Sequence, residues 1–238
     1  MSFKLREIDF FSRCLQREIP FYLLANQAFE RNESVCVLYV QDGLDYLEIG
    51  ELEQKLGGLM GKPMLIVLVP PGDSMQRYAC YHPNGETHEQ YVSFFLEELL
   101  PFVADQVLCG KRAVKQGMLG DSLGGAVSVS IFLRDPKIWT HLLLQSAAFS
   151  PVHLEEVKVL GKQSNLHVHQ LVGLKEDDFV SPISHQRLWI LTRNRLMRKA
   201  WTEKEAQLSY IEKDEDHLWT FWKDHLEEAL LFFANQGG

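Results

Sequence analysis

The chain has 238 residues, 46% hydrophobic and 24% charged, which is ordinary globular usage and excludes a disordered polymer. Its formal net charge of −8 repels phosphate backbones and anionic lipid surfaces, so neither nucleic acid nor a membrane is an expected partner. The length suits one domain over residues 1–238, with a core large enough to need no disulfide or metal staple.

In chain order, no long apolar run follows the first basic residues, so no secretory leader is expected and the cytoplasm is the default compartment. Residues 4–11 and 18–24 read as a hairpin-like pair at a sheet edge. Short Val/Ile/Leu-rich runs follow at 35–40, 64–69, 113–119, 141–145, 166–172 and 206–211, each ending in turn residues. Such runs suit strands buried on both faces of a mainly parallel sheet. The apolar stretch 64–71 is too short to cross a bilayer. Helical spacing marks 90–106, 124–134, 185–201 and 218–235. Strands alternating with helices predict an α/β fold with crossover connections. The segment 146–166 is too short for a separate cap, so no large lid is expected. Cys14, Cys36, Cys80 and Cys109 have no paired spacing and read as reduced core residues.

Gly120-Asp121-Ser122-Leu123-Gly124 matches G-x-S-x-G. By composition alone a chain of this length meets that pattern about one time in ten, so context must decide. A buried-type strand ends at Leu119 and Gly125-Ala126-Val127 opens a helix, the strand–turn–helix setting the motif requires. There a serine sits on a strained bend and small neighbours let strand and helix close up. Ser122 is therefore the candidate nucleophile of an α/β-hydrolase fold.

A serine hydroxyl needs a base, and the base needs a third group to orient it. In this fold the chain order is serine, acid, histidine. His82, His88 and His141 come too early, and His167 and His169 lie on a predicted strand. His153 and His185 look like surface positions, and His225 like the solvated face of the last helix. His217, between the last strand and the last helix, is the candidate base. The acid should follow the strand ending near Val172, where Glu176, Asp177 and Asp178 are adjacent. Glu176 and Asp177 stand level, with Asp178 behind. An oxyanion hole needs two backbone donors. The Leu123 amide is one candidate, and the Gly43 or Leu44 amide, after the third strand, is the other, with a plain Asp-Gly turn as the alternative.

Val37-Leu38-Tyr39-Val40-Gln41-Asp42-Gly43, the elbow through Gly125, Leu144-Gln145-Ser146, Val172-Gly173 followed by Glu176, and His217-Leu218-Trp219-Thr220-Phe221-Trp222 together resemble the "Putative esterase" family, which includes esterase D and the enterochelin esterases. The resemblance runs in the right order over nearly the whole chain. It implies Ser122 as nucleophile, His217 as base, a carboxylate from 176–178 and hydrolysis of carboxylic esters. It also implies a substrate-facing role for Arg77, whose position is similar to an arginine after the fourth strand in siderophore esterases. An ion pair beside the elbow is the competing reading of Arg77. The expectation is a serine-dependent ester hydrolase acting on a small-molecule ester without metal or organic cofactor. An acyltransferase or thioesterase on the same scaffold, and a non-catalytic binding relative, are the alternatives.

Overall fold

The computed structural model describes residues 3–236. Ten strands form: β1 (Lys4–Ile8), β2 (Phe11–Ser12), β3 (Arg17–Glu18), β4 (Phe21–Ala25), β5 (Ser34–Gln41), β6 (Met64–Val69), β7 (Arg112–Asp121), β8 (His141–Gln145), β9 (His167–Gly173) and β10 (Gln207–Lys213). Eight of them make one sheet in the order β1-β4-β6-β5-β7-β8-β9-β10, while β2 and β3 pair separately. β4 runs antiparallel to both its neighbours, and every pairing from β6 to β10 is parallel. This is the α/β-hydrolase architecture expected from the alternating runs.

β5 shows why these runs make strands. Its side chains alternate between two cores, as a two-residue period demands. Val35, Val37 and Tyr39 enter the larger cluster, with Phe95, Val127, Phe149 and Trp201. Cys36, Leu38 and Val40 enter the other, with Tyr46, Leu226, Leu230 and Phe233. A strand covered on both faces has no polar side, so it reads as a continuous apolar run.

The order β6-β5-β7 means that the chain turns one way after β5 and the other way for β7. A crevice opens at the carboxyl ends of strands flanking such a switch, because successive connections leave on opposite sides. The residues at those ends are Gln41-Asp42 and Asp121-Ser122. The fold therefore puts the G-x-S-x-G bend at the mouth of its natural binding crevice.

Several elements differ from the sequence reading. The helix expected over 90–106 is a longer helical run, with π-helical turns at Phe94–Leu99 and Val103–Leu108; Pro101 lies between them and has no N–H to give. The last helix is broken into Trp219–Asp224 and Leu226–Asn235, with His225 between them in non-helical backbone. His225 is thus half-buried against Phe221 rather than on a solvated face. The third expected helix starts later, at Ile190. Helices not expected from the sequence occupy Gly43–Glu48, Ser74–Tyr81 and Pro151–Val159. The last of these lies in the 146–166 segment and sends Leu154 and Val157 into the core, so that segment is a packed crossover and forms no lid. It also buries His153, which accepts from the Ser150 amide at 3.0 Å and pairs with Ser130 Oγ at 2.9 Å. The surface reading of His153 is corrected accordingly. Cys36 and Cys80 are buried as expected, Cys14 is half-buried, and Cys109 is exposed. No helix of the described residues is long and apolar enough to cross a membrane.

Candidate active site

Ser122 directly follows β7 and begins the helix Ser122–Arg134 with φ of 48°, a left-handed backbone that a residue with a Cβ rarely adopts. Three glycines make the bend possible. A Cβ on Gly120 would collide with the backbone of Gly124 and Gly125. One on Gly124 would lie 2.7 Å from Asp42 Oδ2, and one on Gly125 2.7 Å from Ala147 Cβ. The glycine pattern therefore follows from how closely the turn, β5 and β8 approach.

His217 follows β10 in the loop that leads to the last two helices. Its Nε2 stands 2.9 Å from Ser122 Oγ. Its ring is held between Phe179, with centroids 4.2 Å apart, and Trp222, edge-on at 4.9 Å. Both Ser122 and His217 are buried, with exposures of 8% and 9%, so one edge only of the pair meets solvent.

The three adjacent carboxylates diverge. Glu176 turns inward, is fully buried, and sets Oε2 3.4 Å from His217 Nδ1. At that separation the two atoms form no hydrogen bond, and neither finds one elsewhere among the described residues. Asp177 turns outward and accepts from the amide and hydroxyl of Thr192 at 2.9 and 2.6 Å. Asp178 pairs with Arg187 at 2.5 Å. Of the two level candidates the structure brings Glu176, and not Asp177, to the histidine. A short 3₁₀ turn at Glu176–Asp178 spreads the side chains about 120° apart, so one at most can face inward. Gly173 permits this approach, since a Cβ there would strike the Glu215 carbonyl and crowd Glu176.

Two residues to which sequence reasoning gave no role hold the carboxylate. Trp222 Nε1 donates to Ser146 Oγ at 2.8 Å, and Ser146 Oγ donates to Glu176 Oε1 at 2.6 Å. Ser146 itself sits at φ 49° at the end of β8. Both lie in segments that carry the family resemblance, Leu144-Gln145-Ser146 and His217 to Trp222, but the sequence assigned neither a role, since Trp222 also has helical core spacing and Ser146 simply follows a buried strand.

The amide candidates lie at two helix N-termini. Leu123 is in the first turn of Ser122–Arg134, and Gly43 and Leu44 open Gly43–Glu48, where backbone N–H groups are unpaired and the dipole favours an anion. Asp42, with φ of 54°, turns the chain into the second helix, and the Gly124 contact above places it against the elbow. Packing alone demands glycine at 43, since a Cβ there would strike Leu68.

Arg77 takes the ion-pair role. Its Nε and one terminal nitrogen each meet an Asp42 carboxylate oxygen at 2.7 Å, and it lies 3.6 Å from Asp121 Oδ2. Burial, and the nearby Asp42 charge, push the Asp121 carboxyl well above the usual carboxylate range, with Arg77 opposing. Through Asp121 the cluster adjoins the serine bend, with Arg77 also 3.5 Å from the Asp121 carbonyl.

A family model described as "Putative esterase" matches residues 12–233. The chain is 28% identical over 230 residues to the protein named "Uncharacterized protein YjcH" of Bacillus subtilis (strain 168), covering 95% of each. Among solved structures it is similar to a ferulic acid esterase (TM-score 0.77, 16% identity, 100% of this chain and 99% of that one). It is also similar to an S-formylglutathione hydrolase from Agrobacterium tumefaciens (TM-score 0.75, 15% identity, 100% and 96%). A third similar structure is the enterochelin esterase from Shigella flexneri (TM-score 0.76, 18% identity, 97% of this chain), of which this chain spans 58%. These likenesses establish the shared fold.

Proposed function

This chain belongs to the "Putative esterase" family, and on that premise we propose that it hydrolyses carboxylic esters through an acyl-enzyme on Ser122. The observation that carries the reading is the 2.9 Å approach of His217 Nε2 to an Oγ raised on a left-handed bend. With Nδ1–H turned toward Glu176, Nε2 keeps its lone pair for the serine proton. Oγ then attacks the ester carbonyl as Nε2 takes that proton. The oxyanion forms beside the Leu123 amide and the Gly43 or Leu44 amide, at two converging helix N-termini.

Collapse of the tetrahedral intermediate expels the alcohol, which receives the proton from His217. Water, deprotonated by the same nitrogen, releases the acid and restores Ser122. The Glu176 side chain, held by Ser146 and through it by Trp222, orients the imidazole and stabilises the imidazolium that forms twice per cycle. Its partners fix its orientation before substrate arrives, so little reorganisation is needed during reaction.

The test is a panel of nitrophenyl esters and acyl-CoA thioesters, scored for hydrolysis and for transfer to added alcohols. Hydrolysis of the oxygen esters that falls by at least ~10⁴-fold in both Ser122→Ala and His217→Ala is expected. Transfer without hydrolysis, or activity that survives either substitution, overturns the proposal.

A further inference from the structure

The chain carries eight net negative charges, yet the cleft beside the elbow is cationic. It has a volume of about 200 Å³ and is lined by Leu123 and Ala148 on one side and by His82, Arg187 and Arg193 on the other. None of its thirteen lining residues is Asp or Glu. The Ala148 amide donates to the Ser122 carbonyl at 2.8 Å, so one wall is bonded to the backbone of the nucleophile itself.

The two arginines differ. Arg187 is neutralised: it pairs with Asp178, donates to the Asp177 carbonyl and stacks on Trp189 at 4.1 Å. Arg193 is anchored by one terminal nitrogen to the Phe149 carbonyl at 2.9 Å. Among the described residues no carboxylate forms an ion pair with it, and burial alone depresses its pKa. A guanidinium has five N–H donors, so most of its fork is without a protein partner among the described residues, and the residue lines the cleft.

His82 adds a neutral donor. The Asn84 amide donates to Nδ1 at 3.1 Å, which places the proton of the neutral ring on Nε2. Burial lowers its pKa, with the charges of His88 and Arg193 adding to the effect. A half-buried cation without a counter-ion is costly to keep, and this one lines the same cleft as Leu123, the residue after the nucleophile.

We propose that the cleft receives the anionic end of the substrate: the ester cleaved at Ser122 carries a carboxylate a few bonds from its carbonyl, bound by Arg193 with His82 beside it. The inference rests on the esterase reading above. The volume is below the ~300 Å³ at which sites for drug-sized ligands begin, so a short acid fits and a long acyl chain does not.

Two matched pairs of substrates test this. Monomethyl adipate against methyl adipamate puts the charge on the acyl side, and 3-acetoxypropanoate against 3-acetoxypropanamide puts it on the alcohol side. The native enzyme is expected to prefer the anion in one pair by about ten-fold or more in kcat/KM, the scale of a charge-assisted hydrogen bond. Arg193→Gln should collapse that preference, chiefly through KM, and Arg193→Lys should keep part of it. Arg195→Gln, which removes the partner of Glu212 on the same helix, should leave it intact. No preference in either pair, or a preference that survives Arg193→Gln, overturns the proposal.

Calorimetry of adipate on Ser122→Ala, with and without Arg193→Gln, separates this idea from the hydrolase reading. Binding that depends on Arg193 without turnover of any ester keeps the anion cleft and removes the esterase. Turnover without charge preference does the reverse, and neither binding nor turnover removes both.

Discussion

Replacing Arg77 by Met separates its two possible roles. The guanidinium makes two 2.7 Å bonds to Asp42 and stands 3.6 Å from Asp121. Those carboxylates have side-chain exposures of 1% and 3%, and Arg77 itself of 24%. Removing the cation leaves two buried carboxylates facing each other. Breaking a buried pair in this way costs about 3–5 kcal/mol, which for a chain of this size lowers Tm by roughly 6–20 °C. The loss has a definite pH dependence. The Asp121 carboxyl, already raised above the unfolded value near ~3.9 by burial and the Asp42 charge, rises further once Arg77 no longer opposes them. The penalty is therefore full at high pH, and it shrinks as pH falls through the raised folded value toward the unfolded one. Thermal melts at pH 5 and pH 8 measure it, and Asp42→Asn combined with Arg77→Met should recover part of the stability. An Arg77→Met variant with native Tm at both pH values and a raised KM for anionic esters refutes the ion-pair account and restores the substrate-facing role.

Glu176→Gln should lower kcat by about 10²–10⁴-fold, whereas Asp177→Asn should keep kcat and lose about 1 kcal/mol from its hydrogen bonds to Thr192; steady-state kinetics beside denaturant melts give both numbers. Trp222→Phe removes the donor to Ser146 and frees the carboxylate network, so kcat should fall about ten-fold with KM little changed. His141, His153 and His169 are buried neutral, with pKa values lowered to about 3, about 3 and about 4 by burial; neighbouring cationic groups add to this at His141 and His153, while Glu228 opposes it at His169. A depressed folded pKa means that the unfolded chain binds more protons between about pH 6.5 and the folded value. Each of the three then removes up to about 1.4 kcal/mol per pH unit as pH falls through that window. Urea denaturation at pH 7, 6 and 5 should show this slope, and His153→Asn should flatten it.

The sheet was legible because each central strand is apolar on both faces. β5, β6 and β8 read as largely apolar runs and β9 as a Val/Leu-containing run despite its buried His169 and Gln170, and their ends fell within a residue or two. The short helices were not, although two carried a visible start. Asp73 and Gln76 form a capping box at Ser74–Tyr81, and Ser150-Pro151 opens the next missed helix; both pairs sit in sequence that also reads as loop. Ser122 and His217 could be picked out because the motif and the chain order each point to one residue. Glu176 could not, because three adjacent carboxylates are equivalent until backbone torsions aim one inward. Arg193 was invisible for a related reason. It lies in a basic helical stretch, Arg193-Asn194-Arg195, and only the fold shows that Arg195 meets Glu212 while Arg193 meets a backbone carbonyl beside the nucleophile.

Covalent labelling with a fluorophosphonate, mapped by peptide mass spectrometry, bears most directly on whether Oγ of residue 122 is an activated nucleophile. A single adduct on the Ser122 peptide is predicted, absent in Ser122→Ala and slowed at least ~10²-fold in His217→Ala. An adduct on another hydroxyl, or a labelling rate indifferent to His217, would contradict the account.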